Sequence, residues 1–324
     1  MKKEPNYPLV SFISVNYNQS KVTFDFLESL KHLTYPNYEI IIVDNASPAD
    51  TPYEIKEKYP EVNLIILREN IGFAGGNNVG IINSKGKYLL FINNDTEVEL
   101  DFLEPMVEAF ENDDKLGMAS PKIIFHHSKD EKIMQYAGGT DVDYKKGAGR
   151  FYGYGEVDKG QYKTSYTGLI HGAAVMVPRK LMSTVGVWPD IYFLYYEEID
   201  WSEHFKRAGY KLKFIAESTI YHKESISIGK ATPIRIYYMN RNRQLFIRRN
   251  ASTKNKLTAL LLFYFASLPK STIYFFLKGK LSLLSALWRG IFWNMFHFSG
   301  LKQNPVLVEK DGKTQIINST YKYK

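Results

Sequence analysis

Four apolar runs near the start of the chain each break off into oxygen-bearing side chains. VSFISV (10–15) is followed by Asn16 and Asn18, and EIIIVD (39–44) closes on Asp44 and Asn45. NLIILREN (63–70) ends in Asn70, and YLLFIN (88–93) runs into Asn93, Asn94 and Asp95. Runs this apolar on both faces belong to strands covered on both sides, the pattern of parallel sheets. Between them Val22, Phe26, Leu30 and Leu33 recur at helical spacing, and AGGNNVGIINSKG (74–86) opens a further helix. Strands alternating with helices give an α/β sheet flanked by helices. Ligands of open α/β sheets bind beyond the carboxyl ends of the strands, so the four polar ends are expected to converge on one crevice.

The chain has 324 residues, 44% hydrophobic and 15% aromatic, enough to bury a core and to exclude disorder. It has no cysteine, which removes disulfides, thiolate zinc sites and cysteine nucleophiles and fits a reducing compartment. The N-terminus carries two lysines and then a short apolar run interrupted by Pro5, Pro8 and Asn16. That is no signal peptide, and Leu9–Val15 reads as the first strand. Charge is unevenly placed. Thirteen Lys and Arg and no acid lie between Ser225 and Val308, leaving about −5 of the net +8 for the rest. A neutral-to-acidic body with a basic, aromatic tail predicts an anionic partner surface, with membrane headgroups and nucleic acid both candidates.

Further along, Phe102–Phe110 reads as a short helix, residues 126–168 as loops and a hairpin over the site, and GLIHGAAVMVP (168–178) as a strand. A helix is predicted over Glu198–Ala208, with Gly209 after its last turn, and a strand over 212–218, closely followed by Tyr221 and His222. Asn93-Asn94-Asp95 suits either a turn or a cation site in which one carboxylate works with substrate phosphates. Asp44 suits either a helix cap or a contact to a base or ribose. The glycines of NIGFAGGNNVG (70–80) let the backbone approach a ligand, but their spacing is neither the dinucleotide fingerprint nor a P-loop. Glu197, Glu198 and Asp200 open a helix, where carboxylates are favoured by the dipole. They also follow Tyr192, Phe193, Tyr195 and Tyr196, and an aromatic-walled carboxylate has its pKa raised toward that of a general base. His222 reads as structural alone, or as a metal ligand if paired with Asp95.

In order, VNYN (15–18), VDNAS (43–47), NIGFAGGNNVG (70–80), INNDTE (92–97), HGAAVMVPR (171–179), YYEEIDW (195–201) and IYHK (220–223) resemble the inverting family 2 glycosyltransferases of the GT-A fold, especially their rhamnosyltransferase-like branch. The resemblance covers about residues 8–250 and implies a GT-A, mixed but mostly parallel sheet flanked by helices. It implies that Asp44, beside Asn16 and Asn18, contacts the nucleotide base, and that Asn70, Gly72 and Asn78 line the sugar-nucleotide pocket. Asn93, Asn94 and Asp95 match the family's Asp-X-Asp element, with Asn93 in place of the first acid. Asp95 and His222 would then hold Mg2+ or Mn2+. His171 and Gly172 match the strand facing donor and acceptor. Glu198 falls at the catalytic base, with Glu197 as the alternative, and Asp200, Trp201, Arg241 and Asn242 lie toward the acceptor. The donor implied is dTDP-rhamnose or a UDP-hexose. A nucleotidyltransferase, a non-catalytic sugar-nucleotide binder and a nucleic-acid binder are the rival readings.

The chain is expected to divide at residue 230, into a catalytic domain (1–230) and a basic, aromatic helical region (231–324). The apolar stretches 257–277 and 281–298 are each long enough to cross a bilayer, but Pro269, Lys270 and Arg289 interrupt them. A central Lys or Arg costs about 2.5–3.5 kcal/mol on insertion scales, so helices lying in the headgroup plane are expected. That would place the protein peripherally on the cytoplasmic face, near a lipid-linked saccharide acceptor. A bundle on the catalytic domain or a homodimer is the alternative cover, and nucleic acid is not the expected partner.

Overall fold

A computed structural model describes residues 7–223, 232–297 and 304–323. The first half alternates as expected: β1 (Val10–Asn16), α1 (Ser20–Leu30), β2 (Tyr38–Asp44), α2 (Tyr53–Lys58), β3 (Asn63–Ile66), α3 (Gly72–Ile82), β4 (Tyr88–Ile92), β5 (Thr96–Val98) and α4 (Leu103–Glu111). There follow β6 (Leu116–Phe125), β7 (Met134–Tyr136), β8 (Ser165–Thr167), β9 (Ala174–Pro178), α5 (Glu197–Arg207) and β10 (Lys211–His222). The remainder is helical, with α6 (Pro233–Asn250), α7 (Thr253–Leu262), α8 (Leu268–Leu277) and α9 (Leu281–Phe296), then a hairpin, β11 (Val306–Lys310) with β12 (Lys313–Ile317). The hairpin pattern was not legible in the sequence.

Among the described residues the main sheet runs β3-β2-β1-β4-β9-β6-β10-β5, with β7 on β6 and β8 on β10. Strands β1 to β4 are parallel; β9 runs antiparallel between β4 and β6. Alternate residues of each strand feed opposite cores. Phe12, Ile42 and Leu90 pack under α1, α2 and α4. Ile13, Ile41, Val43 and Phe91 pack on the other side with Trp188, Trp201 and Phe205. Burial on both faces is why these strands read as unbroken apolar runs.

Two pairings set up the crevice. β1 and β2 are in register to their last residues, Asn16 opposite Asp44. β10 lies parallel to β6 and runs on past the predicted end to His222, which pairs with Thr96 of the antiparallel β5. The β6 register shifts between Ile215 and Thr219, opposite Pro121–Lys122, where proline has no N–H to give a regular ladder. The end of the late strand is thereby carried to the end of β4.

The predicted boundary at 230 falls in 224–231, outside the described residues. Beyond it, α6 is not a separate appendage: Arg249 and Asn250 on α6 bond to Asp200 on α5. α9 packs closely on α6 at Gly290, where a Cβ would lie 2.9 Å from the Tyr237 carbonyl oxygen. Thr253–Leu277 is 25 residues of continuous helix, long and apolar enough to cross a membrane by length and composition. It includes a π-helical turn at Phe263–Ser267, just before Pro269, whose missing N–H leaves the preceding turn to re-pair. Much of its apolar surface is exposed, with Phe265 79%, Phe276 65% and Leu277 75% accessible, and Phe296 on α9 adds 76%.

Candidate active site

β4 ends at Ile92 and the chain turns through Asn93, Asn94 and Asp95 into β5, so Asp95 and His222 arrive side by side. Both are buried, and Asp95 Oδ1 lies 3.1 Å from His222 Nε2. His222 Nδ1 is 2.8 Å from Gln135 Oε1, an acceptor, so Nδ1 carries the proton and Nε2 presents a lone pair. The Asn93 amide, 3.3 Å away, is the donor that reaches it. Asp95 Oδ1 has no aligned hydrogen-bond donor among the described residues. A lone pair and an orphaned carboxylate oxygen facing each other across 3.1 Å fit a shared cation. Burial raises the Asp95 pKa, but a protonated His222 outweighs it through its charge and hydrogen bond and holds the carboxyl below the usual carboxylate range, a proton in the place a cation would take. Among the described residues no cluster of three or more His, Asp or Glu could hold a metal by itself. A hard cation here would complete its shell with substrate phosphate and water, as Mg2+ characteristically does.

At the neighbouring strand ends the polar residues mostly hold one another. Asn16 donates to Asp44 (2.7 Å) and accepts from Thr23 and Asn94. Asp44 also takes the Ser47 N–H at 3.0 Å and hydroxyl at 2.6 Å, which is capping chemistry, and it is fully buried. Asn94 points inward to Asn16 and Thr23, not toward a ligand. Asn78 is likewise redirected. It pairs with the Trp188 backbone in both directions and with the Tyr323 hydroxyl, so it anchors chain segments where pocket lining was expected. Asn18 adopts a left-handed φ of 56° and accepts from the Ala49 N–H. Asn70 accepts from the Gly72 N–H. Gly72 itself has φ +77°, and an added Cβ would meet the Phe193 carbonyl oxygen at 2.4 Å. Asn45 stitches β2 to this loop through Ile71 and Gly72.

The carboxylates come in from the other side of the crevice. Phe193, Tyr195 and Tyr196 all have positive φ, and α5 begins immediately after them. Non-glycine residues so held store strain that the surrounding structure must over-determine. Glu198 packs against Gly172, its Cβ and Cγ 3.6 Å from where a Gly172 Cβ would sit. The adjoining His171 ring lies 6.0 Å from that of His222, so a short run of contacts links Glu198 to Asp95 across one crevice. Burial keeps His171 neutral, its pKa pushed down to about 3, and the charge of a protonated His222 would add to the effect. Glu198 is raised by desolvation. Glu197 is raised well above the carboxylate range by desolvation and then by the Glu198 charge, and its buried Oε2 has no hydrogen-bond partner among the described residues. Two adjacent carboxyls in an apolar setting cannot both ionise readily.

Three residues expected toward the acceptor are buried in internal contacts. Asp200 is fully buried, 3.0 Å from Arg249 and from the Tyr192 hydroxyl, and bonded to Asn250. Trp201 lies in the core with its ring 4.4 Å from Trp188 and its N–H on the Gly186 carbonyl. Arg241 is buried over the Trp293 ring at 4.2 Å and donates to the Ile191 carbonyl. Asp200 and Arg241 face inward because α6 packs on the segment that carries the carboxylates, while Trp201 faces the sheet core with Phe91 and Phe205. The reading of the sequence missed Gln135, which orients His222 and lies in a stretch with weak patterning. Asn242, expected to approach the acceptor, has its amide against the carbonyls of Tyr192, Leu194 and Tyr195.

The sheet order, the converging strand ends and the late acid-bearing helix define a GT-A fold, the Rossmann-like architecture of nucleotide-diphospho-sugar transferases. Over residues 11–182, more than half its length, the chain matches the model of Glycosyl transferase family 2, and it belongs to that family. It is 24% identical over 281 residues to poly-beta-1,6-N-acetyl-D-glucosamine synthase of Staphylococcus epidermidis, covering 85% of this chain and 65% of that protein. The chain thus spans less than two thirds of that curated relative. Among solved structures it is similar to GalNAc-T7 with UDP, GalNAc and Mn2+ (TM-score 0.60, 15% identity, 75% of this chain and 49% of that one). It is also similar to the mannosyltransferase PcManGT of Pyrobaculum calidifontis with GDP-Man and Mn2+ (TM-score 0.52, 16% identity, 91% of each chain).

Proposed function

We propose that this protein is a metal-dependent, inverting glycosyltransferase of cell-surface glycan synthesis. It moves rhamnose from dTDP-rhamnose, or a hexose from a UDP-sugar, to a hydroxyl of a lipid-linked or polysaccharide acceptor. What supports the reading is one run of contacts: Glu198 lies against Gly172, the ring of the adjoining His171 is 6.0 Å from that of His222, and His222 is 3.1 Å from Asp95. The name of the curated relative supports polysaccharide synthesis, and the structures of similar fold, one with UDP and one with GDP-Man, support a nucleotide-sugar donor.

Asp95 and His222 would hold Mg2+ or Mn2+, which offsets charge growing on the departing diphosphate. The glycine loop and Asn70 border the space for the donor. Glu198, desolvated beside Gly172, takes the proton of the acceptor hydroxyl. The new C1–O bond forms as the bond to the diphosphate breaks, and that electron pair leaves with the phosphate. Attack from the opposite face inverts the anomeric centre. The exposed apolar surface of α7, α8 and α9, within a segment free of acids, supports peripheral attachment to an anionic membrane at the cytoplasmic face.

The test is release of nucleoside diphosphate from a panel of sugar nucleotides with Mn2+, with and without polyprenyl-diphosphate oligosaccharide. Diphosphate release that requires an acceptor supports the transferase. Pyrophosphate from a nucleoside triphosphate would point to a nucleotidyltransferase, and tight donor binding without turnover to a binding protein.

A further inference from the structure

We propose that Asn242 is a positioning residue that sets the carboxylate-bearing segment 190–198, and that its role in turnover is exerted through the carbonyls it clamps. Asn242 is fully buried on α6. Its amide nitrogen lies 3.0, 2.7 and 2.8 Å from the carbonyl oxygens of Tyr192, Leu194 and Tyr195. The three carbonyls converge on one point because Phe193, Tyr195 and Tyr196 are all left-handed. They do so inside an apolar cluster of Tyr192, Tyr196, Leu245 and Phe246, where an unpaired carbonyl has no water to turn to. The neighbouring Arg241 takes the carbonyl of Ile191, so α6 holds the segment at four successive or near-successive positions. Glu197 begins α5 only two residues after the last clamped carbonyl, and Glu198 follows. A tilt of this segment therefore moves the carboxylates with little to absorb it.

The same clamp accounts for the composition of α6. Arg241, Asn242, Arg249 and Asn250 are spent on the backbone and the buried acid of the carboxylate segment, so this part of the basic run is internal. The segment is also gripped from its far side: the buried Asp190 accepts from the Ser319 hydroxyl (2.5 Å) and the Tyr323 hydroxyl (2.7 Å).

The proposal takes its activity readout from the transferase reading, so the experiment separates the two. Asn242→Ala and Asn242→Ser are compared with the wild-type chain. Amide hydrogen exchange across 190–200 reads the clamp without any turnover. It is expected to speed up about tenfold in N242A and by less in N242S, whose hydroxyl serves one carbonyl, while 88–92 stays unchanged. In nucleoside diphosphate release, kcat is expected to fall by about tenfold to a hundredfold in N242A and to recover partly in N242S, with donor KM within about twofold. Unchanged exchange at 190–200, or a loss that resides in donor KM, overturns the proposal, as does failure of both variants to fold. A wild-type chain that releases no nucleoside diphosphate sinks the transferase reading, while the exchange data still decide for or against the clamp.

Discussion

At the residue scale the candidate chemistry rests on three carboxyls in unlike settings. Glu198 is desolvated beside Gly172, so Glu198→Gln is expected to cut turnover by about 10²–10⁴-fold while the thermal shift given by a sugar nucleotide persists. Equal loss in both would assign Glu198 to donor binding. Asp95 faces His222 with an orphaned oxygen, so Asp95→Asn should weaken both the Mn2+-dependent shift and turnover. Glu197 gives a pH test. Its folded pKa is raised, so the native state binds its proton more tightly than the unfolded chain. Its stabilising share is complete below the unfolded value near 4.5 and is lost as pH rises toward the folded value. Glu197→Gln should therefore melt higher than wild type, by a margin that widens from pH 5 to pH 7, with about 1.4 kcal/mol at stake per pH unit. A constant margin would mean that Glu197 is hydrated in the folded protein. Asp95, Glu198 and His222 stand out in the sequence because strand ends and helix starts leave marks there. Gln135 does not, since an amide that bonds an imidazole far along the chain carries no local signature, and for Asn242 the sequence pointed to the acceptor and not to the carbonyls it meets.

At the element scale the first four strands followed from their apolar runs, because β1, β2 and β4 bury both faces and β3, at the sheet edge, is half-buried. Predicted ends shifted where partners decided them. The strand expected over 168–178 is regular only from Ala174, where it meets β4, and the one expected over 212–218 extends to His222 because β5 and β6 flank it. The three-residue β5 is too short to show a period of its own. The α6–α9 contact makes a further prediction. With the Tyr237 carbonyl 2.9 Å from a Gly290 Cβ, and that neighbour being backbone, Gly290→Ala must push the helices apart. A loss of about 1–3 kcal/mol is expected in denaturant melts, the usual range for overpacking. An unchanged midpoint would show that α9 is not seated on α6 in solution.

At the scale of the whole molecule, charge and apolar surface segregate. The acid-free segment presents Phe265, Phe276, Leu277 and Phe296 outward, while its inner residues pack under the carboxylate segment. Changing Phe265 and Leu277 to Glu should weaken binding to anionic vesicles by roughly tenfold or more per site, since each buried side chain of this size contributes about 1.5–3 kcal/mol. Vesicle binding that survives both changes would assign this surface to another partner. The sequence by itself determined the sheet and its two-sided cover, because burial on both faces and polar strand ends are written in residue order, and the order of its motifs carried the resemblance to the family. The tertiary structure alone decided which polar residues face the crevice and which face each other. It turned Asp200, Trp201 and Arg241 inward and brought in Gln135 and Asn242, because those assignments depend on contacts between residues tens to hundreds of positions apart, where no periodicity operates.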